Sequence, residues 1–199
     1  MTTDSLIQRL EDLKAKQKKI DAAWRNTGDK PLLDFFVEII PKTLNCERCS
    51  IFVLDPQSDN IWVQSGTGLK EHQVAVPRDE SLVGQVISSG EAQLESDMEN
   101  RVGSHEWVDM QTGYMTQSAL CVPVRGAAAG QVNGAIQVLN KRGMKTFSDE
   151  DQKILERLAF HIQMNIENIY LHQQLAKLLN DTRKTISALE KRIAQLEKS

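Results

Sequence analysis

The chain is poor in the features that mark most specialised protein classes. It has three cysteines among 199 residues, an odd number, and it opens on the polar MTTDSLIQRLEDLKAK rather than a signal peptide, so no disulfide framework is expected. No apolar run approaches the roughly 18 residues that cross a bilayer. Positive charge is not in excess: 24 Lys and Arg face 27 Asp and Glu, for a net charge of -3. That balance lacks the basic stripe nucleic acid requires. No P-loop and no Ser-His-Asp pattern is visible, and His72, His105, His161 and His172 are scattered. The expectation is a cytoplasmic, non-enzymatic protein with no resident cofactor, no metal, no membrane and no nucleic-acid partner.

What is present is 40% hydrophobic and 26% charged residues, enough for one domain with a real core and additional helices. Leu6, Leu10, Leu13, Ile20 and Trp24 fall at alternating four- and three-residue steps, with Gln17 filling the one gap, a heptad seam that predicts an N-terminal helix ending in Asn26-Thr27-Gly28-Asp29. A second helix is expected from Pro31 to Leu44, with Leu32, Leu33, Phe36, Val37, Ile39 and Ile40 as a wide apolar face. Strand patterns follow at Arg48 to Leu54, Ile61 to Ser65 and Gln73 to Val76.

Cys46 and Cys49 form a C-x-x-C inside CERCSIFVLD. A redox pair or half a zinc site needs partners that are not there, and alternation puts Cys49 on one face with Ile51 and Val53, so both read as structural. Ser81 to Ser89 returns to helical spacing, with Gly90 as its stop. Residues 91–111 are polar and aperiodic and read as a long loop. Met115 to Pro123 and Gln131 to Leu139 pair around a glycine-rich turn. Residues 108–141 thus form a polar loop emptying onto a buried hairpin, a frequent lining for a small-molecule pocket.

From Ser148, a cap followed by acidic residues, nothing interrupts helical spacing to the last residue. Ile154, Leu155, Leu158, Ala159, Ile162 and Ile166 can cover a sheet. Beyond them Leu179, Ile186 and Ile193 at a, with Thr182, Leu189 and Leu196 at d, make a heptad seam. Ile at a with Leu at d predicts a parallel homodimer. The division expected is 1–28 as a dimerising or linking helix, 29–170 as the central domain and 171–199 as a coiled-coil helix. Heptads reaching the last residues fit either a small complete protein or the sensory piece of a longer chain with a signalling domain behind it.

The succession CERCSIFVLD, VPRDESLVGQVISSGE, VDMQTGYMTQSALCVPV, GAIQVLNK and FSDED resembles a GAF domain, in particular the regulatory ones of cyclic-nucleotide phosphodiesterases and bacterial adenylyl cyclases. The resemblance runs from about Leu32 to Asn168. It implies an α+β fold: a six-stranded antiparallel sheet with helices on one side and a ligand cavity toward the loop face. It also implies a joint in which Asn140, Lys141, Phe147 and Asp151 tie the last strand to the C-terminal helix through a Lys141 to Asp151 ion pair, with Gln152 where the family has Glu. An exposed pair of this kind contributes little alone.

By the same resemblance Ser50, Ser65, Leu82, Val83, His105, Asp109, Thr112, Thr116 and Gln137 are the candidate ligand contacts, with cyclic AMP or cyclic GMP as the regulatory ligand. Hydroxyls and amides suit a purine edge and a cyclic phosphate, and helix N-H groups near Leu82 and Val83 suit phosphate. Departures stand beside these matches. Gln64 and Ser65 replace a stacking aromatic, and residues 95–104 are acidic where relatives are aromatic, leaving Trp107 as the nearest substitute. Two functions remain open at this point, a small-molecule sensor acting through a dimeric coiled coil and a ligand-free dimerisation or interaction module.

Overall fold

The computed structural model describes residues 29–55, 60–69, 74–98, 113–127 and 130–196. The expected N-terminal helix of residues 1–28 lies outside them, as do His72, His105, Trp107, Asp109 and Thr112. The described elements are α1 (Asp29–Thr43), β1 (Cys46–Leu54), β2 (Ile61–Gly66), β3 (Ala75–Val76), α2 (Leu82–Ser89), β4 (Gln93–Ser96), β5 (Ser118–Arg125), β6 (Val132–Lys141) and α3 (Asp149–Leu196). Six strands form one sheet in the order β3-β2-β1-β6-β5-β4, and its strand pairs are antiparallel. This is the α+β architecture expected.

The strands of the sheet centre are buried on both faces, and each face has its own core. Cys49, Ile51 and Val53 of β1 lie with Leu120, Val122, Val124, Ile136 and Val138 under α1 and α3, so Cys49 keeps the company its alternation predicts. On the other face Phe52, Val63, Cys121 and Ala135 pack with Val83, Val86 and Ile87 of α2. The expectation of helices on one side therefore holds for the two long helices, while the short one takes the opposite face.

α1 buries Leu33, Val37 and Ile40, with Leu44 buried just past its end, a narrower stripe than its composition suggests, and leaves Leu32, Phe35 and Ile39 exposed. α3 buries Leu155, Ala159, Ile162 and Ile166 at helical spacing, as expected of its first half. It can approach β6 closely because position 134 has no side chain: a Cβ on Gly134 would fall 2.3 Å from the Phe52 carbonyl oxygen and 3.1 Å from Cγ2 of Ile166. Past Tyr170 the helix side chains are exposed or half-buried through Thr185. No helix among the described residues is long and apolar enough to cross a membrane.

Among the differences from the expected elements, two have clear physical reasons. Residues 93–96, read as loop, form the edge strand β4 against β5; a four-residue edge strand covers so little core that it carries almost no apolar alternation. β5 begins at Ser118 rather than Met115, because the N-H groups of Gln117 and Ser118 go to the side-chain oxygen of Asn140, at 2.7 and 3.3 Å. Side-chain capture thus replaces a ladder bond at the strand's entry.

Truncation of a sheet-centre side chain tests this core. Ile136→Ala, at a fully buried position, is expected to lower stability by about 2–5 kcal/mol in urea denaturation. Met144→Ala, at a position 61% exposed, is expected to change it by no more than about 0.5 kcal/mol.

Candidate functional site

The end of β6 is densely bonded. Asn140 has a left-handed backbone (φ 57°), a conformation Asn tolerates better than most residues, and its amide is used completely. Oδ1 accepts from the N-H groups of Gln117 and Ser118. Nδ2 donates to the Met115 carbonyl at 2.9 Å and to Oε2 of Glu47 at 3.1 Å. The Tyr114 hydroxyl also donates to that carboxylate, at 2.7 Å, and the Arg48 guanidinium lies 3.6 Å from the Tyr114 ring centre. Hydrogen bonds from Tyr114 and Asn140 hold the Glu47 carboxyl below the usual carboxylate range.

Lys141, the next residue, turns to the helix face. Its ammonium donates to Oδ1 of Asp151 at 2.7 Å and to the Leu44 carbonyl at 2.8 Å, so one side chain joins β6, the start of α3 and the chain just past α1. Asp151 is the third helical residue after the cap Ser148. Oδ2 accepts from the Ser148 N-H at 2.9 Å and its hydroxyl at 3.0 Å, while Ser148 Oγ accepts from the Asp151 N-H at 3.2 Å. That is a reciprocal capping box with Asp in place of Glu. Phe147 is buried beside it, its ring centre 5.9 Å from the ammonium.

The four expected joint residues are therefore brought together. The expectation of an exposed, weak pair is corrected: the Lys141 and Asp151 side chains are only 11% and 10% exposed. Burial pushes the Asp151 carboxyl up, but hydrogen bonds from Lys141 and Ser148 outweigh it and hold the group below its ordinary value. Gln152 faces along its own helix, donating to Glu156 at 2.8 Å, so Gln in place of Glu leaves the joint whole. Glu47 and Tyr114 were not anticipated, and no spacing in the sequence announces them. The cap expected at Ser148 is present, and the Asp151 carboxylate closes it into a box.

The candidate ligand contacts divide. Ser50 and Gln137 are register partners on β1 and β6, and Cys121 of β5 faces Gln137 in turn, so all three share the face that carries α2. Thr116 is buried just ahead of β5. Leu82 and Val83 open α2, but their side chains pack into the core of that face. The Ser81 hydroxyl oxygen takes the Gly84 N-H at 2.9 Å, leaving only earlier N-H groups of that helix without an intrahelical partner.

Ser65 is corrected: it is the register partner of Ile51, lies on the long-helix face, and donates to Oδ1 of Asp34 on α1 at 2.6 Å. An open cavity of about 970 Å³ lies beside it, between α1 and the ends of β1 and β2, with Asp34, Glu38, Lys42, Glu47 and Arg142 in its wall. Ser65 lines it; Ser50, Leu82, Val83, Thr116 and Gln137 do not. Of the expected seam, Leu179 is half-buried and Thr182 is exposed, its hydroxyl bonded to the Leu178 carbonyl at 2.8 Å. The side chains of Ile186, Leu189, Ile193 and Leu196 lie outside the described residues.

All three cysteines are buried and unpaired. Burial pushes the Cys46 thiol up to about 11, against the opposing charges of Lys141 and Arg142, and raises Cys49 and Cys121 as well. Such thiols are protonated at neutral pH and poor nucleophiles. Among the described residues no group of three or more His, Cys, Asp or Glu side chains is placed to hold a metal ion.

A family model described as GAF domain matches residues 30–168, the span that holds the sheet, nearly all of both cores and the joint. The chain belongs to the GAF domain family. Over 149 residues it is 30% identical to the probable 3',5'-cyclic phosphodiesterase pde-5 of Caenorhabditis elegans, covering 68% of this chain and 20% of that protein. It is 27% identical over 141 residues to the dual 3',5'-cyclic-AMP and -GMP phosphodiesterase 11A of Takifugu rubripes, covering 64% of this chain and 15% of that one. Only the GAF region of these much longer relatives is matched. Among solved structures, the GAF domain of a phosphoenolpyruvate-protein phosphotransferase from Coxiella burnetii superposes with a TM-score of 0.61 at 17% identity, covering 81% of this chain and 92% of that one, which establishes the fold.

The GAF joint makes an acid-sensitive prediction. Asp151→Asn at pH 7 is expected to cost about 3 kcal/mol in urea denaturation, because it leaves Lys141 partly buried without its counter-charge. Since the folded-state value of Asp151 is depressed, its contribution is complete above the ordinary Asp value of about 3.9 and is lost as pH falls through the lower folded value. Stability curves of the wild type and Asp151→Asn should therefore converge below about pH 4; parallel curves down to pH 2 would contradict the assignment.

Proposed function

We propose that this GAF domain is a non-catalytic sensory module: a small regulatory ligand is taken up on the α2 face, and its presence is passed to a dimeric α3. The observation that carries the reading is the construction of β6. Gln137, paired with Ser50, faces the α2 side, and four residues later Lys141 is clamped to α3. One rigid strand thus holds both a candidate ligand contact and the anchor of the long helix. A cyclic nucleotide is the first ligand to test, since both relatives are described as phosphodiesterases of cyclic nucleotides and Ser50 and Gln137 offer the donors and acceptors its base and phosphate use. His105, Asp109, Thr112 and Thr116 remain part of this proposed site.

The partner proposed for α3 is a second copy of the chain, in parallel. Phe160, Met164, Leu171, Leu175 and Leu178 are exposed, from 48% to 72%. Leu175 lies on the expected seam: the steps from Leu175 through Leu179 and Thr182 to Ile186 alternate four, three and four, with Leu179 and Ile186 at a and Thr182 at d. A downstream signalling domain or protein would read this pair of helices, and a place in the cytoplasm fits that role. The engagement of Ser65 by Asp34 favours a second reading, a dimerisation module that works without ligand.

Two measurements separate the readings. With cyclic AMP or cyclic GMP at about 100 times its Kd, the domain should gain about 2.7 kcal/mol, seen as a raised melting temperature that Gln137→Ala abolishes. No shift with either nucleotide sinks the cyclic-nucleotide proposal and leaves the ligand-free module. Sedimentation should give twice the chain mass for the wild type and the single mass for Ile186→Asp with Leu189→Asp; a wild type at the single mass overturns the dimer.

A further inference from the structure

A second polar attachment of α3 lies at the opposite end of β6 from Lys141, and it reaches through the sheet edge to α2. α2 ends at Gly90, whose left-handed backbone (φ 70°) turns its N-H back to the Val86 carbonyl. The Gly90 carbonyl accepts from the Arg125 guanidinium at 2.8 Å, a cation at the negative end of a helix. Arg125 is the last residue of β5. Beside it, Gly126 donates its N-H to the Gln131 carbonyl at 2.8 Å, closing the base of the β5-β6 turn.

The same base is gripped from the other face. The Gly126 carbonyl accepts from Nε2 of Gln163 at 3.3 Å. Oε2 of Glu167 accepts from the Ala127 N-H at 3.1 Å and from Nδ2 of Asn133. Asn133 is fully buried and its Oδ1 has no partner among the described residues, so the bond to Glu167 is what fixes that amide. No side chain fits at position 126: a Cβ there would lie 2.7 Å from Nδ2 of Asn133 and 2.9 Å from Oε2 of Glu167. Glu167 is itself buried, three residues ahead of Tyr170, after which α3 is no longer covered.

We propose that Arg125, Gly126, Asn133 and Glu167 form a transmission latch that couples the C-terminal end of α2 on one sheet face to α3 on the other, at the point where α3 leaves the domain. A shift of α2 moves the Gly90 carbonyl, Arg125 carries it to the turn base, and the turn base sets how firmly Glu167 holds the helix. The latch rests on the sensor reading only for the direction of the signal. Coupling of this kind is reciprocal, so it can be tested with no ligand present and stands or falls apart from the identity of one.

The experiment is amide hydrogen exchange on the full chain. Arg125 is exposed, so Arg125→Met removes the link without opening the core. It is expected to speed exchange about tenfold in residues 82–90 and also in residues 163–170, the scale of one lost charge-assisted bond. Glu167→Gln should speed both regions in the same way, and Arg125→Lys, which still donates to the Gly90 carbonyl, should restore both. Lys141→Met should speed exchange at residues 149–156 and leave 82–90 unchanged. If Arg125→Met acts on 82–90 alone, the latch is refuted; the same holds if Glu167→Gln, provided it folds, acts on 163–170 alone.

Discussion

The ion pair between Lys141 and Asp151 is the constraint on which the rest of the structure depends. Removing two charges from water costs several kcal/mol for each, so such a pair persists only where the remaining valences are filled. Here they are filled by parts of the fold itself. The second bond of Lys141 goes to the Leu44 carbonyl, and the second oxygen of Asp151 goes to the cap of its own helix. The pair therefore forms only when the end of α1, the end of β6 and the first turn of α3 are all in place. It acts as a check on assembly as much as a source of stability.

Asn140 extends that constraint to the other side of the strand end. Its amide takes the N-H groups of Gln117 and Ser118, which would otherwise be orphaned where β5 enters the sheet, and it reaches Glu47 at the start of β1. Adjacent residues thus perform opposite tasks: Asn140 fixes the entry to the hairpin, and Lys141 fixes the helix behind it. A left-handed backbone at Asn140 is what redirects the chain between the two.

How much of this was legible in the sequence follows from how local each feature is. The cap at Ser148, the buried stripe of α3, the stop at Gly90 and the face shared by Cys49, Ile51 and Val53 are set by neighbours a few residues away, and all are as expected. The family resemblance located the joint, but not its burial, because the Leu44 carbonyl, 97 residues away from Lys141, becomes its partner only in three dimensions. Ser65, a candidate by resemblance, lies on the long-helix face because β2 is irregular against β1: Ile51 faces Ser65 and Phe52 faces Val63, so Gln64 is extra and strict alternation breaks there. β4 was missed because its pairing is made by backbone groups at an edge. Glu167 left a faint sign, a carboxylate amid Ile162, Ile166, Ile169 and Tyr170, which an apolar helix face tolerates only with a buried donor. Asn133, near the start of β6, is a donor of that kind.

The two attachments of α3 have a geometric consequence. Asp151 and Glu167 are about 24 Å apart along the axis, and the helix continues for about 44 Å beyond Glu167. α3 contains neither Pro nor Gly, the usual sites of a kink, so it acts as a rod held at two points. With Asp151 as pivot, a displacement of about 1 Å at Glu167 moves the far end by nearly 3 Å, from the ratio of about 68 Å to 24 Å. A heptad seam is sensitive to shifts of that size, because each knob must enter a hole in the facing helix. Small changes at the sheet would therefore be magnified at the far end of α3, with a firm anchor at the start of the helix and an adjustable one at the exit. The structure has this order: a capped ion pair at Asp151, and at Glu167 a carboxylate held by the Ala127 N-H and the Asn133 amide and connected through Arg125 to α2.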